Sequence, residues 1–327
     1  MAIKQAIVFG GAGFIGSHLI KKLVEGQQYS KVICVDVSSP RFKVDGADYV
    51  TADVRREIPT DLFDPVPSDI FNLAAVHVTP GHADWEYFNT NVMGAVQVCR
   101  FANAIGCNSI VFTSSISVYG PSEQPLDEDA EPAPTSAYGR SKLAAEGIHK
   151  LWQVQEPAER RLTVIRPAVI YGLAERGNFT RLSRLLARRA FIYPGRRDTI
   201  KSCGYVKDLV ESLIFMSARN TGVLTYNFCY NERYTINQIC DAFCEAAGYK
   251  TPRITCPIWF MNLAALPFEV LQKIGINTGV NRARVQKLWL STNIIPKRLV
   301  EHGFVFKYKL DSSLRDWKHD SVGSDFD

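Results

Sequence analysis

Tyr138 and Lys142 stand four residues apart in the run Tyr-Gly-Arg-Ser-Lys. On a helix that spacing places both side chains on one face. A free tyrosine, with a reference pKa of about 10, is a poor base near neutrality. An ammonium beside it favours the phenolate and lets it move a hydroxyl proton. The run Phe112-Thr113-Ser114-Ser115-Ile116-Ser117-Val118-Tyr119-Gly120 adds hydroxyl donors that could polarise the same oxygen. These groups suit proton transfer at a carbinol carbon that gives up or receives a hydride. Taken alone, a tyrosine and lysine at this spacing are also a common surface-helix pattern, so the reading needs a hydride carrier nearby.

A second cluster points to one. Gly10-Gly11-Ala12-Gly13-Phe14-Ile15-Gly16 follows a strand-like run and opens a helix-like one. Glycines there permit a tight turn and close approach of a pyrophosphate, whose charge is held by free N–H groups at the helix start. The spacing is GxxGxxG, wider than the usual GxGxxG. Asp36 closes the second strand-like run, where a carboxylate accepts hydrogen bonds from adenine-ribose hydroxyls and repels a 2′-phosphate. NAD is therefore favoured over NADP, a preference that Arg41 tempers. Asp53, in Thr-Ala-Asp-Val, reads equally as a strand-end turn residue or an adenine contact.

The elements that must position these groups are legible in the hydrophobic pattern. Strand-like runs cover 6–10, 31–36, 49–52, 70–75, 109–114 and 162–167, separated by helical stretches at 14–25, 84–105 and 136–155. Near-continuous apolar runs suit strands buried on both faces. Their alternation with helices predicts an α/β fold, a Rossmann-type doubly wound parallel sheet. Past Tyr171 the rhythm changes to helices at 180–190, 207–218, 236–247 and 258–273, with a strand at 223–229. We read residues 1–171 as an NAD-binding domain. Residues 172–320 read as a smaller mixed α/β C-terminal substrate-binding unit whose segments return to the sheet, and 321–327 as a disordered tail. The Pro- and acid-rich stretch 121–134 reads as a surface loop, either a solvated connection or a lid.

Composition narrows the partners. The 327 residues are 46% hydrophobic with a net charge of +5, enough for one large core or two joined units. The basic residues are scattered apart from Arg181, Arg184, Arg188, Arg189, Arg196 and Arg197, too few for a nucleic-acid stripe but suited to a phosphorylated small molecule. Eight cysteines show neither CxxC pairs nor metal-ligand spacing, and Cys240 and Cys244, one turn apart, read as buried thiols; no metal site is expected. With no leader before the first strand, a reduced cytoplasm is the simplest location. The apolar segment 258–276 is broken by Pro267 and carries Glu269 and Lys273, so no integral membrane span is expected; packing on the domain is favoured over contact with a membrane surface.

With these residues in view the chain resembles the extended short-chain dehydrogenase/reductases, the NAD-dependent epimerase/dehydratase family. The match runs in order through Gly10–Gly16, Asp36, Asp53-Val54, Asn72-Leu73-Ala74-Ala75, Asn91-Val92, the Ser114–Gly120 run, Tyr138–Lys142, Arg166-Pro167 and Tyr205-Val206-Lys207-Asp208-Leu209, with weaker similarity to Trp317. The resemblance implies that Tyr138 is the acid/base, that Lys142 holds the nicotinamide ribose and lowers the tyrosine pKa, and that Ser115 bonds the reacting oxygen. It implies further cofactor contacts from Gly10, Gly13, Phe14, Ile15, Gly16, Asp36, Asp53, Val54, Leu73, Ala74, Ala75, Thr90 and Pro167. His77 falls where sugar epimerases often carry a lysine near the ribose, and reads equally as a plain loop histidine.

The same resemblance discriminates among reactions. Sugar 4,6-dehydratases carry Asp-Glu after the catalytic hydroxyl residue, related decarboxylases keep the Glu, and 3,5-epimerases use a Cys; here those places hold Ile116 and Ser117. What remains is 4-epimerisation of a nucleotide sugar through a transient ketone, or reduction of a 4-ketosugar. Lys201, Asn178 and Arg282 (or Arg284) are the expected contacts to the sugar diphosphate. Val169 departs from the Asn usual in the sugar enzymes and, with the C-terminal half, opens a second reading: a dehydrogenase of a sterol-like or isoprenoid alcohol, favoured by an apolar pocket around Val169 and Phe179. A cofactor-sensing regulator is a third, though such a protein need not keep both Tyr138 and Lys142. The resemblance also implies a homodimer through the helices at 84–105 and 136–155.

Overall fold

A computed structural model describes residues 4–79, 81–261, 263, 289–322 and 326. In chain order its elements are β1 (Gln5–Phe9), α1 (Phe14–Gly26), β2 (Lys31–Asp36), β3 (Ala47–Thr51), β4 (Ser68–Asn72), α2 (Asp84–Ala104), β5 (Ser109–Thr113), β6 (Ser122–Leu126), α3 (Ala137–Val154), β7 (Arg161–Pro167) and β8 (Val169–Tyr171). They continue with α4 (Asn178–Ala187), β9 (Tyr193–Pro194), β10 (Cys203–Tyr205), α5 (Val206–Arg219), β11 (Val223–Phe228), α6 (Ile236–Ala247), β12 (Thr255–Cys256), β13 (Thr292–Ile294), α7 (Lys297–Glu301) and α8 (Leu310–Asp320).

Seven strands form one parallel sheet in the order β3-β2-β1-β4-β5-β7-β11. Each central strand is apolar on both faces because both faces are covered. On β1, Ile7 and Phe9 pack into a core with Val98 and Phe101 of α2 and Ala145 and Trp152 of α3. Ala6 and Val8 point the other way, toward Leu19 and Leu23 of α1 and Leu209 and Leu213 of α5. The connections leave β1 and β4 in opposite directions. A crevice therefore opens at their carboxyl ends, the place where doubly wound sheets bind ligands.

The C-terminal segments do return to the sheet: β11 pairs along its length with β7, from Val223 opposite Leu162 to Phe228 opposite Pro167. Beyond the sheet lies a separate aromatic core of Tyr171, Phe179, Tyr193, Tyr205, Phe243 and Trp317.

Some expectations change. The stretch 121–134 is not wholly loop, because β6 within it pairs in parallel with β13, more than 160 residues later. Nor is the tail free throughout: Phe326 is fully buried edge-on to Phe243 and Trp317, since a phenyl ring gains more from that core than from water. Seven cysteines are buried, Cys240 and Cys244 among them, and all eight are unbridged. The helix expected at 258–273 starts at Ile258, but most of it lies outside the described residues. No helix among the described residues is long and apolar enough to cross a membrane.

Candidate active site

The glycine loop sits at the crevice. Gly10 has φ +74, and a Cβ there would lie 2.5 Å from the Ala74 backbone nitrogen, so only glycine lets the β1 and β4 ends approach so closely. A Cβ on Gly16 would lie 2.4 Å from the Gly10 carbonyl oxygen, which is how the third glycine seats α1 against the turn. Gly13 caps α1 without a side chain. The first-turn N–H groups of Phe14 and Ile15 have no carbonyl to bond within the helix and face the ligand side.

Asp36 holds this loop as well as closing β2. Its Oδ2 accepts from Ala12 N at 3.1 Å and its Oδ1 from Ser38 N at 3.0 Å. Each carboxylate oxygen keeps a lone pair for a ribose hydroxyl. Asp53 is engaged by Arg55, with the guanidinium 2.7 Å from Oδ2, and this partner holds its carboxyl below the usual range. The turn-residue reading accounts for it; an adenine contact would have to share that carboxylate. Val54 is buried under Gly94 of α2, and Leu73 N donates to the Phe9 carbonyl, which aligns Leu73, Ala74 and Ala75 along the crevice.

Asn91 secures the next turn: its Oδ1 accepts from Val76 N at 2.9 Å and its Nδ2 donates to the Ser141 hydroxyl at 2.8 Å. Thr90, half-buried, precedes it on α2, and Pro167 is buried at the end of β7. His77 is held below the ordinary histidine range by desolvation and by the nearby charge of Lys142. The residue is exposed, and the charges of Lys142 and Arg41 are both felt there.

Tyr138 and Lys142 lie in the first turns of α3, capped by Ser136, whose hydroxyl accepts from Gly139 N. Gly139 is required for the approach: a Cβ there would lie 2.3 Å from the Ser117 carbonyl oxygen. That close contact brings Tyr138 within hydrogen-bond reach of Ser115. Ser115 itself is buried at the turn after β5, its Oγ accepting from Ser117 N at 3.1 Å. The three residues are thus assembled from β5 and α3.

Their electrostatics differ from the expectation. Burial pushes the Tyr138 phenol up to about 12, opposed by its bond to Ser115, and pushes Lys142 down to about 7, opposed by Glu146. Without cofactor, desolvation outweighs these partners and favours the neutral form of both groups. Lys142 Nζ donates instead to the Thr113 carbonyl at 2.6 Å.

Behind the triad lies a buried network that the sequence reading did not single out. Glu146, one turn past Lys142, takes two hydrogen bonds from Arg166, at 2.9 and 2.7 Å, and one from Ser114 at 2.5 Å. Arg166 also donates to the Tyr119 hydroxyl at 2.7 Å, which in turn donates to Asn227 at 2.9 Å. Glu128 of the 121–134 stretch accepts from Asn227 N, so that stretch braces the strand ends rather than covering them. The repeat 138, 142, 146 was the only local signal, and by itself it reads equally as a solvated helix face.

The expected substrate contacts are dispersed. Lys201 donates to the Leu290 carbonyl at 2.5 Å, and burial holds its ammonium down to about 8. Asn178 is exposed at the start of α4, and Arg282 lies outside the described residues, as does Arg284. Phe179 is buried and stacked on Tyr171 with ring centroids 4.5 Å apart. Val169 packs on the same cluster, so this is filled core rather than the open apolar pocket a sterol would need. Among the described residues no cluster of His, Cys, Asp and Glu could hold a metal.

Residues 6–229 match the profile of the NAD dependent epimerase/dehydratase family. The chain belongs to that family. It is an NAD-dependent enzyme, and the glycine loop, Asp36 and the first turn of α1 fit the cofactor. Over 312 residues it is 28% identical to N-acetyl-alpha-D-glucosaminyl-diphospho-ditrans,octacis-undecaprenol 4-epimerase of Escherichia coli O157:H7, covering 95% of this chain and 93% of the relative. UDP-glucose 4-epimerase 3 of Oryza sativa subsp. japonica is 26% identical over 77% of this chain and 79% of its own length. Among solved structures, MoeE5 in complex with UDP-glucuronic acid and NAD superimposes with a TM-score of 0.75 at 24% identity, over 97% of this chain and all of the other. UDP-glucose 4-epimerase of Thermotoga maritima gives 0.75 at 22% identity, over 96% and 97%. These two structures establish the shared fold.

Proposed function

We propose that the chain inverts the configuration at C4 of a sugar carried on a diphosphate, a nucleotide sugar being the first candidate. The observation that carries this reading is what surrounds the reacting position. Ser115, Tyr138 and Lys142 come together beside the glycine loop, while the next residue, Ile116, is buried apolar and Ser117 hydrogen-bonds Ser115. A hydroxyl can be oxidised and reduced there, but no carboxylate or thiol follows the serine to eliminate water or exchange a carbon-bound proton. NAD, when bound, supplies the acceptor and donor for one hydride. Tyr138 must first become a phenolate, which the positive charge of bound NAD and the ammonium of Lys142 would favour over the neutral form that burial prefers. Its Oη then takes the O4 proton as the carbinol carbon loses hydride, and gives it back when the ketone, having presented its other face, is reduced. Ser115 Oγ donates to the oxygen throughout. Lys142, released from the Thr113 carbonyl, is placed to hold the nicotinamide ribose.

Incubating the purified protein with UDP-, GDP- and TDP-linked sugars, while following NADH absorbance and the sugar products, tests this. Interconverted 4-epimers are expected; a net 4-keto reduction would point to the ketoreductase alternative, and no binding or turnover of any of them would overturn the nucleotide-sugar reading.

A lipid carrier is the second reading. It is favoured by the printed substrate of the relative matched almost end to end and by the exposure of Trp259, Phe260 and Leu263. Offering the same sugar on UDP and on undecaprenyl diphosphate separates the two. We also infer a homodimer through α2 and α3, where Trp85, Phe88, Met93, Leu151 and Val154 are exposed. Light scattering checks this, with a monomeric mass counting against it.

A further inference from the structure

We propose that the ribbon of β9 and β12, with the helical turn that follows it, docks on an anionic lipid bilayer. The two strands pair in parallel with Tyr193 opposite Thr255, and Tyr193 N donates to the Ile254 carbonyl at 2.9 Å. That register sets Ile192 beside Ile254 at one end of the ribbon, both of them exposed. The chain leaves β12 through Pro257, whose carbonyl accepts from Phe260 N at 3.1 Å to start the helical turn. Ile258 faces the domain, its Cβ 3.7 Å from where a Cβ on Gly195 would stand. Trp259, Phe260 and Leu263 are each more than half exposed, the two rings edge-on with centroids 5.8 Å apart. Exposed apolar residues scattered singly are ordinary, but five large ones on one short stretch are not.

Cations frame this stretch. Arg197 Nε donates to the Thr255 hydroxyl at 3.0 Å and its Nη2 to the Arg253 carbonyl, which ties both arginines to the ribbon. Arg188 and Arg189 follow the end of α4 just ahead of Ile192, and the left-handed Arg189 (φ 55) turns the chain out of the helix. All four arginines are exposed, and among the described residues none of them pairs with a carboxylate. The acids of this region are engaged elsewhere, Glu123 and Asp198 by Arg196 and Asp241 by Asn237. Aromatic rings that settle at headgroup level, aliphatic tips that enter the acyl boundary and arginines that meet lipid phosphates make up an interfacial face. A second copy of the chain fits it less well, since a two-fold contact would set the same arginines against one another. The inference deepens the lipid-carrier reading, with which it shares Trp259, Phe260 and Leu263, without depending on which sugar diphosphate is turned over.

Co-sedimentation of the full-length protein with vesicles of phosphatidylglycerol and phosphatidylcholine, without cofactor or sugar, tests it. Binding is expected on the anionic vesicles at low salt, falling as salt is raised and weak on phosphatidylcholine alone. Trp259→Ser combined with Phe260→Ser should lower the partition coefficient by about tenfold or more, and Arg253→Gln by about fivefold. Arg253→Lys should keep most of the binding, because the attraction is one of charge. Val305→Ser, at an exposed apolar residue outside the ribbon, should bind as the parent does. No binding to anionic vesicles, or binding that the ribbon variants leave unchanged, overturns the proposal. So does a concentration-dependent rise in mass by light scattering that the same variants abolish while vesicles stay unbound, which would make the face a contact between copies. Because binding is read without turnover, failure here is distinct from failure of either substrate reading.

Discussion

Two regions of this molecule handle charge in opposite ways. Behind the catalytic residues, Glu146 and Arg166 are almost fully buried, bonded twice to each other and satisfied by Ser114 and Tyr119. Around the cavity lined by Arg41, Arg176 and Arg184 the cations are exposed, and only Arg176 of the three stands on a left-handed backbone (φ 53). The first arrangement is closed and cannot shift without leaving a charge unpaired in the core. The second is exposed, so its charges are screened by water. Ser115, Tyr138 and Lys142 are mounted on the closed region, where a side chain keeps its place; the open one holds its side chains less tightly.

The sharpest way to break this contrast is at the reacting hydroxyl. Tyr138→Phe is expected to lower kcat by roughly 10²–10⁴-fold, the usual worth of a general acid/base, while NAD binding by titration is kept. Retained turnover would mean the proton is moved by another group.

Next in size is the buried pair. Glu146→Ala leaves Arg166 uncompensated in the core and should cost about 3–5 kcal/mol of unfolding free energy in urea. A loss below about 1 kcal/mol would show that water reaches Arg166 and that the region is not closed.

The lysine offers a pH signature. The folded-state pKa of Lys142 is lowered to about 7, below its unfolded value, so the unfolded chain binds more protons above pH 7 and stability rises with pH there. Between pH 7 and 8.5 this amounts to on the order of 1–2 kcal/mol. Lys201, held down to about 8, adds in the same direction from its own midpoint upward. In cofactor-free protein, Lys142→Met should remove the Lys142 share of the rise and leave the rest. A rise of the same size in the variant would move its origin elsewhere.

The smallest effect belongs to the open region. Arg176→Gln should change stability by less than about 0.5 kcal/mol, as substitutions outside the core do. A large loss of stability would make the cavity a structural element after all.

What could be read from the residues in advance follows the same division. The glycine loop, Asp36 and the Tyr138–Lys142 pair were legible because each depends on local spacing: a turn, a strand end, one face of one helix. The strands of the parallel sheet were legible because buried strands leave continuous apolar runs; their order came only from the structure. Glu146 with Arg166, and β6 with β13, were not, since their partners lie 20 and more than 160 residues away and no periodicity links them. The setting of Lys201 was hidden for a related reason. Its type suited a diphosphate, but only packing shows that its ammonium is engaged by the Leu290 carbonyl.

The pairing of β6 with β13 also has a consequence in time. The segment that follows the catalytic serine turn finds its neighbour only at Thr292–Ile294, and Glu128 is bonded by the backbone of Arg298. A ribosome adds these residues after nearly nine-tenths of the chain has been made. The N-terminal sheet can gather around its glycine loop well before then, but the brace behind Ser115 closes late. A chain that ended before Thr292 would hold the glycine loop and its sheet without this brace.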